Sequence, residues 1–202
     1  MSRVQHTFTE IVLPYQAEQY EAWKRGDKSL IPAFHECHDI VVRQPSHHFG
    51  EFFVLDHFHR HGDWLGYRFF ALTVTADLDH PRYAPGGLQI QKMFPAAKLA
   101  AFRRARSFDP REYVHGKGEP DLFLFKSSGE MLFLEVKKGT DSPDDEQYQL
   151  RCLAQIRSIL GCGAEMVYLR NEMQAYSAKT YTVDVDVPIT PTASPPIRRS
   201  RA

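Results

Sequence analysis

The feature that most constrains this chain is a pair of short apolar runs separated by four turn residues. DLFLFK begins at Asp121 and MLFLEVK at Met131, with Ser127, Ser128, Gly129 and Glu130 between them. That spacing makes a β-hairpin the economical connection. Both runs are apolar on both faces, as expected of central strands covered on both sides. Two acids nevertheless stand in this hairpin, Asp121 at its start and Glu135 near its end. A carboxylate in such a place is costly unless it is paired with a cation or held by a metal.

The flanking segments supply the cover. Around His47 to His61, residues Glu51, Val54, Leu55 and Phe58 fall at i, i+3, i+4 and i+7 of one helix, and Glu51 thereby extends an apolar stripe. Gly62 is placed to close that helix, and Leu65 to Thr75 (LGYRFFALTVT) reads as a strand. After the hairpin, Ser142-Pro143-Asp144-Asp145-Glu146 forms a strong helix start, with Ser142 as N-cap and acids in the first turn. This helix should run to Gly161, burying Cys152, Ile156 and Ile159, before a strand over Ala164 to Leu169. The order is helix, strand, strand, strand, helix, strand.

Peripheral segments are read as follows. Residues 1–46 form an N-terminal extension with one short helix from Tyr15 to Gly26. Residues 47–187 form one domain. Within it, 76–118 reads as an insertion: a Pro/Gly-rich loop, then a helix through PAAKLAAFRRARSF with Leu99 and Phe102 packed and Arg103, Arg104 and Arg106 facing outward. Thr180 to Val187 alternates polar with apolar residues, suits a half-exposed sheet edge, and is a candidate homodimer interface. Residues 188–202, rich in Pro and Arg, read as a disordered tail.

At 202 residues the chain suits one domain with additions. Lys and Arg total 25 and Asp and Glu 25, so there is no positive excess to advertise nucleic-acid binding before any motif is read. Three cysteines without a C-x-x-C pattern argue against a disulfide framework. The N-terminal residues lack the apolar core of a secretory signal, and no stretch is long enough for a membrane span. A cytoplasmic location is the default, with signal-independent secretion left open.

The chemistry follows from the hairpin. Glu135 and Lys137 lie two apart on one strand and project from the same face. Glu135 is thereby available to a metal, and Lys137 to a water or phosphate. Asp121 follows Pro120, which suits a strand's first residue, and hairpin pairing would bring Asp121 alongside Glu135. Two carboxylates holding a divalent cation that keeps several waters is a usual arrangement for phosphodiester hydrolysis.

Gly118-Glu119-Pro120-Asp121, then Leu134-Glu135-Val136-Lys137, then a capped helix carrying Gln147, resembles the PD-(D/E)xK nuclease superfamily, most closely the VRR-NUC family. Over residues 47–170 or so, the resemblance implies a restriction-endonuclease-like α-β-β-β-α-β core, an α/β fold with a mixed central sheet flanked by helices. It implies that Asp121, Glu135 and the Val136 carbonyl bind Mg²⁺ or Mn²⁺, with Glu51 as the acid from the first helix. It further implies that Lys137 orients the attacking water and that Gln147 helps position phosphate or water. Two departures stand out: Lys138 separates Lys137 from Gly139, and the insertion is long. The function implied is metal-dependent DNA cleavage, in repair or recombination or as an antibacterial toxin or defence effector. An immunity protein would be a toxin's partner. The alternative is a catalytically inactive nucleic-acid-binding module of the same fold.

Two residue sets accompany the motif. Arg103, Arg104, Lys117 and Lys138 surround it in sequence and are candidates for phosphate contacts. His35, Cys37, His38, His47, His48, His57, His59 and His61 crowd one region. The His57/His61 pair has a zinc-chelating spacing, but no H-E-x-x-H or paired C-x-x-C accompanies it, so surface or polar-network roles are favoured.

Overall fold

A computed structural model describes residues 2–34, 47–73, 79–107, 118–139 and 143–187, with the backbone alone for 143–147. In chain order the strands are β1 (Ser2–Thr9), β2 (Ile11–Tyr15), β3 (Leu65–Tyr67), β4 (Leu122–Phe125), β5 (Met131–Lys138), β6 (Gly163–Asn171) and β7 (Thr180–Val187). The helices are α1 (Ala17–Lys24), α2 (Phe49–Gly62), α3 (Ala84–Met93), α4 (Ala96–Ser107) and α5 (Pro143–Gln155). A π-helical turn, Ile156–Leu160, continues α5 and stops at Gly161 in the left-handed region, φ 75°.

The apolar hairpin lies inside a five-stranded mixed sheet of order β2-β6-β5-β4-β3. β5 runs parallel to β6 and antiparallel to β4. Side-chain alternation along the hairpin divides the core in two. Leu122, Leu124 and Leu134 pack toward Phe49, Phe52, Val54 and Leu55 of α2, with Trp23 of α1. Phe123 and Phe133 pack on the other face with Ile90, Phe102, Leu153 and Ile156 from α3, α4, α5 and the π-turn. Both faces of the sheet are therefore covered by helices.

Several elements differ from the sequence reading. The first fifteen residues contain two strands: β2 adds to the sheet edge parallel to β6, Ile11 opposite Val167, and β1 pairs antiparallel with β7 along their full lengths. Thr180–Val187 is thus not on the central sheet, and β1 occupies one of its two edges. The strand read over Leu65 to Thr75 is only three residues long. Arg68 leaves the ladder to meet Glu51, and Phe69 to Leu72 are buried without strand pairing. A Cβ on Gly86 would collide with the Phe69 carbonyl and stand 2.8 Å from Phe70 Cβ, so α3 occupies the space beside this segment. The Pro/Gly-rich part of the insertion is accordingly helical, with Pro85 in the first turn of α3, where its missing N–H costs nothing. Arg106 does not face outward. It falls on the Leu99 and Phe102 stripe of α4, is 4% exposed, and donates from Nη1 to Gln155 Oε1 at 3.4 Å. Its charge also acts on the Glu119 carboxyl.

Among the described residues, no helix is long and apolar enough to cross a membrane. The tail 188–202, His35, Cys37, His38, Lys117 and the Ser142 cap lie outside the described residues.

Candidate active site

The register of β4 on β5 places Leu122 opposite Leu134, so Asp121, one residue before β4, stands level with Glu135. The Val136 N–H donates to Asp121 Oδ2 at 2.9 Å and fixes that carboxyl at the foot of the hairpin. Lys137 Nζ lies 3.2 Å from Glu135 Oε1, with side-chain exposures of 8% and 2%. Among the described residues no N–H or hydroxyl donor reaches the buried Glu135 Oε2, and the Glu135 side chain hydrogen-bonds the Asp121 carboxyl. Two hydrogen-bonded carboxyls in so enclosed a place must share a proton or be neutralised by a cation.

Glu51 enters from α2. Its Oε1 is 3.0 Å from Arg68 Nε and 3.0 Å from His48 Nδ1. Burial pushes this carboxyl up, but the His48 hydrogen bond and the Arg68 charge outweigh burial and hold it at about 2. Glu51 is therefore a fixed negative charge. Its field helps to shift the neighbouring group: Asp121 is raised to about 6, first by burial and then by Glu51, against the opposing pull of Arg68, Val136 N–H and Lys137. Glu135 is raised well above the ordinary carboxylate range by burial and by Asp121, with Lys137 opposing. Three carboxyls thus lie close to Arg68 and Lys137, and two of the three resist ionisation.

The donor set fits a divalent cation. Two adjoining carboxyls that resist ionisation, first through burial and then through nearby negative charge, are the groups such an ion would relieve. Among the described residues there is no group of three or more His, Cys, Asp or Glu arranged to hold a metal. Asp121 and Glu135 instead offer a sparse pair of carboxyls, the kind of set that Mg²⁺ accepts while keeping waters.

The structure brings Asp121, Glu135, Lys137 and Glu51 together. It also adds Arg68 and His48, which the motif did not identify. Arg68 has one signal in the sequence, as the lone charge in the apolar run LGYRFFALTVT. His48 stands at the N-terminal boundary of α2 with φ 66°, a left-handed conformation that few non-glycine residues adopt. Gln147 lies on the α5 backbone, and its side chain falls outside the described residues. Among the basic candidates, Arg103 donates from Nε to the Leu72 carbonyl at 3.0 Å, Arg104 is exposed on α4, and Lys138 is exposed at the end of β5. His57 and His61 stack at 4.4 Å, and His61 Nδ1 meets the His57 carbonyl at 2.8 Å, a helix-surface contact.

Compared with models of known protein families and with curated proteins, the chain matches none.

Proposed function

We propose that the chain is a Mg²⁺- or Mn²⁺-dependent DNA endonuclease of the PD-(D/E)xK kind, with a restriction-endonuclease-like core. The observation that carries this reading is the cluster of Asp121 with the buried Glu135 and Lys137, two adjoining carboxyls both shifted upward with an amine 3.2 Å from one of them. With α3 and α4 set aside as an insertion between β3 and β4, the order from α2 to β6 is helix, strand, strand, strand, helix, strand, which supports it.

Asp121, Glu135 and the Val136 carbonyl would hold the cation. When bound, the ion supplies charge stabilisation at the phosphate and acidifies a water. Lys137 keeps an ammonium 3.2 Å from Glu135, where it can hold and orient the attacking water or a phosphate oxygen. Glu51 keeps Arg68 aimed at the same corner, and its negative charge disfavours ionised Asp121 until a cation arrives.

Supercoiled plasmid incubated with the protein and Mg²⁺ or Mn²⁺ tests the reading, with EDTA and a Glu135→Ala/Lys137→Ala variant as controls. Nicking or linearisation lost in both controls is the expected result. No cleavage and no metal-dependent rise in melting temperature would replace this reading with a binding module of the same fold. For an antibacterial toxin, bacterial hosts would tolerate Glu135→Ala far better than the parent, and an immunity protein would co-purify. A repair or recombination nuclease would show neither. Cutting both strands of a duplex would favour a homodimer, which sedimentation in the presence of DNA would detect.

A further inference from the structure

Strand β6 also presents a side chain to the face that carries Glu135 and Lys137. Phe133 and Met166 belong to one half of the core, Leu134 and Val167 to the other. Alternation along the two parallel strands therefore puts Glu135 and Lys137 of β5 on the same face as Tyr168 of β6. Tyr168 stands directly opposite Lys137, and neighbouring strands lie about 4.8 Å apart. We propose that the Tyr168 hydroxyl is a substrate contact, donating a hydrogen bond to the DNA phosphate next to the one being cut. The proposal rests on the nuclease reading of Asp121, Glu135 and Lys137.

Tyr168 is only 8% exposed, and among the described residues its hydroxyl makes no hydrogen bond. A phenol so enclosed usually has a partner within the fold. Here the donor stands beside the lysine of the site, where its acceptor arrives with the substrate. The ring itself is firmly held. It stacks on Tyr176 with centroids 3.7 Å apart and planes 5° from parallel. Tyr176 is tied down in turn: its hydroxyl donates to Glu10 Oε2 at 2.7 Å, and the same buried carboxylate accepts from the Lys179 N–H and the Tyr181 hydroxyl, each at 2.8 Å. The segment after β6 is thereby fastened to the residue before β2, and it fixes the Tyr168 ring without engaging the Tyr168 hydroxyl. A donor fixed in advance loses little freedom when a phosphate binds. With one ring face covered by Tyr176, the hydroxyl rather than the ring is the group on offer.

The order of strands selects the phosphate. Asp121 lies at the foot of β4, Glu135 and Lys137 on β5, and Tyr168 on β6. Two strand spacings, about 10 Å, separate the stems of Asp121 and Tyr168. A DNA strand laid across these strand ends meets the two carboxyls and Lys137 with one phosphate and Tyr168 with a neighbouring one.

The test compares the full chain with Tyr168→Phe, which keeps the ring and its stack on Tyr176. Dissociation constants are read by fluorescence anisotropy in a Glu135→Gln background, on whichever of a labelled single strand and its duplex the parent binds more tightly. Losing a hydrogen bond to a charged phosphate should weaken binding by roughly 10- to 150-fold. The salt slope should stay the same, because a neutral hydroxyl releases no counterions. The melting temperature in EDTA should not fall, because the hydroxyl has no partner within the described fold to lose. With Glu135 restored, KM should rise at nearly constant kcat, as for a contact made equally before and during the chemical step. Equal affinity of parent and Tyr168→Phe would overturn the proposal. So would weaker binding accompanied by a lowered melting temperature, which makes the hydroxyl structural, or a fall in kcat at constant KM, which puts it on the reacting phosphate. Plasmid cleavage by the parent with no change in affinity on Tyr168→Phe removes the contact and keeps the nuclease. Weakened binding without plasmid cleavage by the parent keeps the contact and removes the nuclease.

Discussion

Replacing Asp121 with Asn should stabilise the metal-free protein while abolishing cleavage. The Asp121 carboxyl is raised from 3.8 to about 6 in the fold. Each pH unit of such displacement is worth 1.36 kcal/mol, so the ionised group costs the folded state about 3 kcal/mol. The sign follows from the direction. Below pH 3.8 the group is protonated in both states and contributes nothing. Between there and about 6 the unfolded chain ionises while the folded protein holds its proton, and the penalty grows until it levels off above about 6. Asn removes the charge and keeps an oxygen for the Val136 N–H, at a cost of about 1 kcal/mol for the weaker hydrogen bond. The net gain of about 2 kcal/mol corresponds to roughly 4–8 °C in Tm for a chain of this size. Thermal melts in EDTA at pH 4, 5, 6 and 7.5 would show the variant ahead of the parent at pH 7.5 and level or behind at pH 4. Mg²⁺ should raise the parent's Tm and narrow the gap, because binding adds RT ln(1 + [L]/Kd) to the parent alone. A variant destabilised to the same degree at every pH would refute the reasoning and make Asp121 an ordinary structural acceptor.

Glu51 should behave in the opposite sense. Its folded carboxyl, at about 2 against 4.5, contributes stability above about pH 4.5 that is lost as pH falls toward 2, so Glu51→Gln should cost about 2–3 kcal/mol at pH 7 in urea unfolding and little near pH 2. Gly86→Ala should destabilise although Ala favours helices by about 1 kcal/mol, because the added Cβ would meet the Phe69 carbonyl and Phe70; overpacking of this kind costs about 1–3 kcal/mol, and a raised Tm would contradict it. Arg106→Ala should cost about 2–4 kcal/mol by leaving Gln155 and Glu119 without their cation, whereas Arg104→Ala on the exposed side of the same helix should change unfolding free energy by less than about 0.5 kcal/mol.

The parts of this fold that sequence revealed were those written in local patterns. The hairpin, the shared face of Glu135 and Lys137, and helices α2 and α5 follow from spacing within a dozen residues or so. What stayed hidden depends on distant partners. In β2 (IVLPY) an internal proline weakens the strand signal, yet Pro14 is exposed on an edge strand, where a missing N–H is tolerated. β1 alternates weakly and acquires its identity from β7, nearly the full chain away. Arg106 shows how charge misleads: the run RRAR suggested an outward face, whereas the stripe of Leu99 and Phe102 included the last arginine. At the site, the motif located the acids and lysine but not Arg68 or His48, because their meeting with Glu51 depends on how α2 crosses the start of the segment after β3.

The pairing of the first strands with the last elements also sets a timetable. β2 cannot enter the sheet until residues near Val167 exist, and β1 waits for those near Val187. At ribosomal speeds of about 5–20 residues per second, the 156 residues from Ile11 to Val167 take about 8–30 s to follow. Throughout that interval the β2 segment has neither ladder partner nor Leu169 to pack against. Loop closure of this length is also paid late in folding, which slows the final step relative to formation of the central hairpin. The nascent chain thus carries its Asp121–Glu135–Lys137 cluster before the sheet around it is complete, and that sheet is finished only when the two ends of the described chain come together.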